Sequence, residues 1–268
     1  MIKRIFSTAY TSAENDSEAY RLEKGTQPDY KVMLICVTVA FSLTMIKYLG
    51  DVKFMLSFLK GTSFTHLTAT FEDFMTVNPN AELYRLLYWV GAMIVFYFIV
   101  PLLLIRFVFR QTLSDYGLRL KGAFKDYQLY VLMLCVMIPL VLFFSRTQSF
   151  QERYPFYDVR KGEPFYPNFV IWEIFYFLQF FALEFFFRGF MLHGTKQRFG
   201  FYSVFVMTIP YCMIHYGKPL PETIAAIIAG IVLGTLSLKS RSIWLGVAIH
   251  YSVAITMDLC SLYQKGLL

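Results

Sequence analysis

Seven apolar runs leave this chain few folds to choose from. They cover roughly Val32–Leu49, Leu86–Val108, Leu129–Phe144, Phe169–Leu192, Tyr202–His215, Thr223–Leu238 and Ile243–Leu262. Crossing a bilayer's hydrocarbon core takes about 20 apolar residues in a helix. A backbone surrounded by lipid must also satisfy its own hydrogen bonds, which an α-helix does within one segment. The runs therefore predict an all-α, multi-pass transmembrane helical bundle of about seven spans, or eight, with the third, fifth and sixth the shortest. Composition agrees: 57% of the 268 residues are hydrophobic and 16% are charged, against about 25% charged in an average soluble domain.

Around the runs the chain divides into a polar segment at 1–30, N-terminal membrane helices with an interfacial loop at 31–112, and a membrane core at 113–268. The first segment lacks the apolar stretch of a signal peptide, so the first span is expected to act as an uncleaved anchor. Asp51–Lys60 has Phe54, Met55, Phe58 and Leu59 at helical spacing and reads as an interfacial helix. Thr62–Ala81 reads as a loop closed by the turn-forming Asn78-Pro79-Asn80.

The net charge of +7 does not point to nucleic acid. The basic residues fall between the apolar runs, where they set topology and meet anionic headgroups. Alternating spans from a cytoplasmic N-terminus puts the larger basic set inside, including Lys3, Arg4, Lys31, Arg106, Arg119, Lys196, Lys239 and Arg241. The smaller set, including Lys53, Lys60, Arg85, Arg146, Arg160, Lys161 and Lys218, falls outside. Cys36, Cys135, Cys212 and Cys260 lie singly within apolar runs and read as buried free thiols.

Ionisable groups inside a span are costly, so each needs a partner or a task. The fourth run holds Glu184 and Arg188, four residues apart and so on one helix face, with Glu173 upstream and expected near the membrane surface. The fifth run ends at His215, with Glu222 just beyond it, and the seventh holds His250 and Asp258. Helical rise puts Glu184 about 12 Å, His215 about 20 Å and His250 about 11 Å from the same side of the membrane. Glu184, Arg188, His215 and His250 can therefore share one pocket. Such a set can knit helices together, carry a transported solute, or do chemistry. His66 and His193 read as ordinary surface residues. Glu222 follows Pro221, so it reads either as a charge favoured at a helix N-terminus or as part of the site.

Glu184-Phe-Phe-Phe-Arg188-Gly189, Tyr211-x-x-x-His215, Ser242-Ile-Trp244 and His250 resemble, in order and spacing, the CAAX protease and bacteriocin-processing family of intramembrane endopeptidases. Leu113–Arg119, Gly217–Glu222, Gly230 and Gly234 add to the likeness. The resemblance implies hydrolysis of a membrane-associated or lipidated protein or peptide, with a glutamate and a histidine activating water and a second histidine stabilising the oxyanion. It implies no cofactor, membrane lipid as the surroundings and a bacterial inner membrane, in which the basic-residue count puts the N-terminus on the cytoplasmic side. The implied catalytic residues are Glu184, Arg188, His215 and His250. Were a metal to take part, Glu184, His215 and His250 would hold it, although the zinc motif HExxH is absent. Two positions depart from the family pattern. Leu183 stands where the first of two glutamates belongs, and Ala254 stands where an asparagine belongs. Either Glu184 takes over as base with Asp258 orienting His250, or the chain is a non-catalytic relative that binds or scaffolds a membrane partner.

Overall fold

A computed structural model describes residues 2–158 and 164–268, and the described residues form helices and no strand. Helix α1 (Ile2–Lys24) is polar and leads to α2 (Tyr30–Leu49), the first apolar tract. The carboxylate of Asp29 caps α2 by accepting from the Val32 amide at 3.2 Å. Asp51 in the same way opens α3 (Val52–Lys60), accepting from the amides of Lys53 and Phe54, so the expected short helix is present. The expected loop over 62–81 is not. Helix α4 (Thr65–Glu72) and a π-helical turn, Asp73–Val77, fill most of it. No Gly or Pro interrupts residues 63–77. Thr68 binds back to the Phe64 and Leu59 carbonyls, and Phe71 packs edge-on to Tyr88 at 5.2 Å. Polar composition disguised a helix that tertiary packing supports.

Helix α5 (Ala81–Met93) continues through π turns and α6 (Val100–Leu103) to Val108, a single apolar tract. Then follow α7 (Tyr127–Phe144), the short α8 (Gln148–Arg153) and α9 (Asn168–Glu184). Helix α9 runs on as a π-helical segment, Phe185–His193, into α10 (Gly194–Phe199). The last helices are α11 (Ser203–Met213), α12 (Leu220–Ser240) and α13 (Trp244–Gln264).

Six tracts among the described residues are long and apolar enough to cross a membrane, and one of them, Asn168–Met213, is 46 residues long. It reverses at Gly200, where φ is +57° and a Cβ would lie 2.2 Å from a Glu14 carboxylate oxygen. Only glycine suits both the backbone and the space. Beyond it α11 returns along the π segment, with the Phe187 and Tyr211 rings 5.4 Å apart. The apolar runs predict about seven spans; the described residues give six such tracts, because the fourth and fifth runs merge into Asn168–Met213, and α11, at 11 residues, falls short of the roughly 20 a crossing takes. The chain is an integral membrane protein of the multi-pass, all-α class.

The connections sort to two ends. At one end, Phe201 N–H donates to Glu14 at 2.8 Å, Ile243 N–H to the Gly117 carbonyl at 3.1 Å, and Lys239 to Asp126 at 2.7 Å. At the other, Tyr88 donates to the Leu49 carbonyl at 2.6 Å and Asn168 to Asn80 at 2.9 Å. Arg160 and Lys161 lie outside the described residues, as do the side chains of Lys3 and Arg4.

The core is aromatic. Ile35, Tyr97, Phe185, Phe186, Phe187, Phe190 and Met207 are buried together. None of the four cysteines is buried, contrary to expectation. Cys36 and Cys135 are exposed, and Cys212 and Cys260 are partly so; all are free thiols. Apolar spans have lipid-facing sides that sequence hydropathy does not separate from the core.

Candidate active site

Two stripes of side chains build the site. On α9 and its continuation, Trp172, Tyr176, Phe180, Glu184 and Arg188 recur every four residues, and so share a face. On α13, Gly246, His250, Ala254 and Asp258 do the same. The stripes run antiparallel. Trp172 Nε1 donates to Asp258 Oδ2 at 3.2 Å at one end of the seam. At the other end Glu184 Oε1 lies 3.0 Å from His250 Nδ1. Between them the Phe180 ring lies 4.5 Å from the His250 ring, and Ala254 leaves room for the Tyr176 and Phe180 cluster.

Glu184 is fully buried at the end of α9, where the backbone changes to π geometry. Its Oε1 accepts from Arg188 Nη1 at 2.9 Å as well as facing His250. Arg188 is also buried, and its guanidinium stacks 3.9 Å above the Tyr211 ring. The second oxygen, Oε2, makes no hydrogen bond. It packs on Gly246, where a Cβ would stand 2.7 Å away. The carboxylate is thus tied on one oxygen and covered on the other.

His215 Nδ1 lies 2.8 Å from the Tyr211 carbonyl. A carbonyl only accepts, so Nδ1 carries the hydrogen and a neutral ring keeps its lone pair on Nε2. The same reasoning puts the Nδ1 hydrogen of His250 against Glu184 and leaves its Nε2 open. Tyr211 is the hub. Its ring centre is 4.9 Å from His215 and 6.3 Å from His250, and it carries Arg188 on its face.

The structure therefore joins Glu184, Arg188 and His250 directly, and His215 through Tyr211. It does not join Asp258 to His250. Asp258 accepts from Trp172 and, at 3.4 Å, from the Phe156 amide, about 12 Å along the helix from His250. The orienting contact expected of Asp258 is made by Glu184. Glu222 accepts from the Tyr154 phenol at 2.8 Å and pairs with Lys218 at 2.5 Å. Burial, then Glu222, holds the Tyr154 phenol well above its usual pKa, so it remains a donor that fastens residues 154–157 to α12.

Two expectations are corrected. His193 is buried, with Nε2 3.1 Å from Ser237 Oγ and Nδ1 3.3 Å from Lys196 Nζ. The segment carrying Gly117 covers it, since a Cβ at Gly117 would stand 3.3 Å from the imidazole. Glu173 is buried rather than interfacial, with Tyr251 donating to it at 3.3 Å. His66 is exposed, as read.

Among the described residues no three His, Cys, Asp or Glu side chains converge as a metal site. Within the conditional set Glu184, His215 and His250, the glutamate has Oε1 shared by Arg188 and His250 and Oε2 against Gly246, while each histidine keeps Nε2 open.

The class is now defined: an integral membrane protein with a buried Glu–Arg–His site between two antiparallel helices. The family described as type II CAAX prenyl endopeptidase Rce1-like matches residues 165–256, about a third of the chain, and this match supports the resemblance to the CAAX protease and bacteriocin-processing family. No curated protein and no solved structure matches the chain significantly. The matched stretch takes in Glu184, Arg188, Tyr211, His215 and His250, and ends two residues short of Asp258. Sequence reasoning passed over Gly246, whose sole signal is its place one turn before His250, and the pairing of Trp172 with Asp258.

Proposed function

We propose that this chain is an intramembrane endopeptidase, with its site in the core at 113–268 and its N-terminal end toward the cytoplasm of a bacterial inner membrane. Its substrate is a membrane-associated or lipidated protein or peptide. The observation that carries the reading is the sharing of Glu184 Oε1 between Arg188, at 2.9 Å, and His250 of a separate helix, at 3.0 Å.

Such a pair suits general-base catalysis. Arg188 favours ionised Glu184, and Glu184 holds the His250 ring with Nε2 free. A water placed at that nitrogen gives it a proton as the water oxygen bonds to the scissile carbonyl carbon. The imidazolium, stabilised by Glu184, then returns the proton to the amide nitrogen as the C–N bond breaks. His215 Nε2 offers a second acceptor to orient the water. Cover over Glu184 Oε2 favours this division of labour over direct attack by the carboxylate. The family resemblance would instead give His250 the oxyanion.

The test is cleavage of a membrane-presented peptide library by the purified protein beside Glu184→Gln, each with and without a chelator. The expected result is cleavage by the parent, indifferent to chelator, and none by a folded Glu184→Gln. Normal turnover in that variant would overturn the assignment.

A second reading, a non-catalytic relative that holds a membrane partner, is favoured by Leu183 and Ala254. Both are 4% exposed and apolar where the family pattern has polar groups. If it holds, the parent does not cleave, and Leu183→Glu with Ala254→Asn gains cleavage where the double variant still unfolds cooperatively.

A further inference from the structure

A second polar feature lies at the α1 end of the bundle, away from the Glu–His pair. A cavity of about 90 Å³ opens between α1, α10 and the end of α12, roughly three water volumes and close to the size of a phosphate group. Its walls carry three cations, Lys196, Lys239 and Arg241, and one carboxylate, Asp16. Thr8 and Ser12, one turn apart on α1, add hydroxyls from the facing wall.

The charges within it are poorly balanced. Lys239 is paired with Asp126 at 2.7 Å. Arg241 reaches Asp16 at 3.7 Å, and both of those side chains are more than half exposed. Lys196 is half-buried, and its hydrogen-bond partner is His193 Nδ1 at 3.3 Å. That nitrogen must accept from an ammonium, so His193 is neutral and donates from Nε2 to Ser237. Lys196 therefore rests on a neutral ring and forms no ion pair among the described residues. A half-buried ammonium whose nearby carboxylates, Asp16 and Asp115, stand beyond ion-pair distance is poorly compensated.

Arg241 adds a second, independent sign. It follows α12 with φ of +54°, in the left-handed position that glycine ordinarily fills after a helix. The residue there is a long cation that projects toward α1. Strained backbone that keeps a charged side chain in place is the pattern of a ligand clamp.

We propose that this cleft binds a phosphate group, carried either by a lipid headgroup or by free phosphate, with Lys196 and Arg241 as its principal donors and the Thr8 and Ser12 hydroxyls completing the contacts. Charge-assisted bonds from ammonium and guanidinium suit phosphate oxygens, and clefts between membrane helices at an anionic leaflet meet such headgroups. Bound phosphate would bridge α1 to α10 and α12.

The test uses the purified full chain in a neutral detergent, reading the midpoint of thermal unfolding. The probes are inorganic phosphate, with sodium chloride matched for ionic strength, and dioctanoyl phosphatidic acid, with dioctanoylglycerol as its phosphate-free control. The expected result is a saturable rise with a phosphate-bearing probe and none with its control. A rise with inorganic phosphate assigns a free anion, and a rise with phosphatidic acid alone assigns a headgroup. Lys196→Met and Arg241→Gly should each weaken the apparent affinity about tenfold, the equivalent of one charge-assisted bond. Arg241→Gly relieves the left-handed backbone and keeps the fold. No rise with either phosphate probe, or the same affinity in a folded Arg241→Gly as in the parent, would overturn the proposal.

Discussion

Glu184 has two oxygens with opposite circumstances, and each yields a prediction. Oε1 depends on Arg188. Replacing Arg188 with Ala strands a fully buried carboxylate, and the loss of a buried ion-pair partner typically costs about 3–5 kcal/mol. Denaturant unfolding should show a lower midpoint, and cleavage should fail with it. Oε2 depends on Gly246. In Gly246→Ala the new methyl would stand 2.7 Å from that oxygen, so carboxylate and imidazole must part. Misplacement on the ångström scale can cost about a hundredfold in rate. Turnover should therefore fall far more than stability; a variant with full turnover would show that the carboxylate yields freely. The glutamate, arginine and histidines could be read from sequence because charges inside an apolar run stand out. Gly246 could not, because its contribution is space, and space has no signature in a single sequence.

At the scale of elements, the seam between α9 and α13 has chemistry at one end and a purely structural lock at the other. Asp258 sits at the locking end, bonded to Trp172 and the Phe156 amide. Asp258→Asn should lower the thermal midpoint, since a hydrogen bond contributes about 0.5–1.5 kcal/mol, while cleavage per folded molecule persists. Loss of cleavage at unchanged stability would return Asp258 to the site. Four-residue spacing was visible along each helix, but the register between two helices was not. A span's periodicity shows which side chains share a face, and nothing in it shows which partner face they meet. The helix at α4 escaped notice for a related reason: its support comes from Tyr88, more than a turn beyond its own end in sequence and settled only by folding.

For the whole molecule, the multi-pass all-α class followed from hydropathy because each crossing demands its own apolar length, and the count came out one lower, at six tracts among the described residues. The reversal at Gly200 shows where that reasoning weakens, since two limbs joined by a tight turn look like one tract. The two polar ends make a topological prediction. In a cysteine-free background (Cys36 and Cys135 are exposed along their spans), a single cysteine at Ser114 should react with a membrane-impermeant maleimide only from the cytoplasmic side. One at Ser63 should react only from the opposite side. The reverse pattern would invert the orientation while leaving the fold intact.

The seat of α1 carries a consequence for the order in which the protein is made. Glu14 closes on the Phe201 amide, 187 residues further along, and Asp16 meets Arg241 later still. The helix leaves the ribosome well before the surface that receives it. Throughout insertion of the intervening spans it must wait in water without its partner. Its polar make-up, Ser, Thr, Glu and Asp around a narrow strip of Ala9, Ala13 and Ser17, suits a segment that neither enters the bilayer nor aggregates while it waits. Its docking is thus a late event in biogenesis, a final latch set once the other passes are in place.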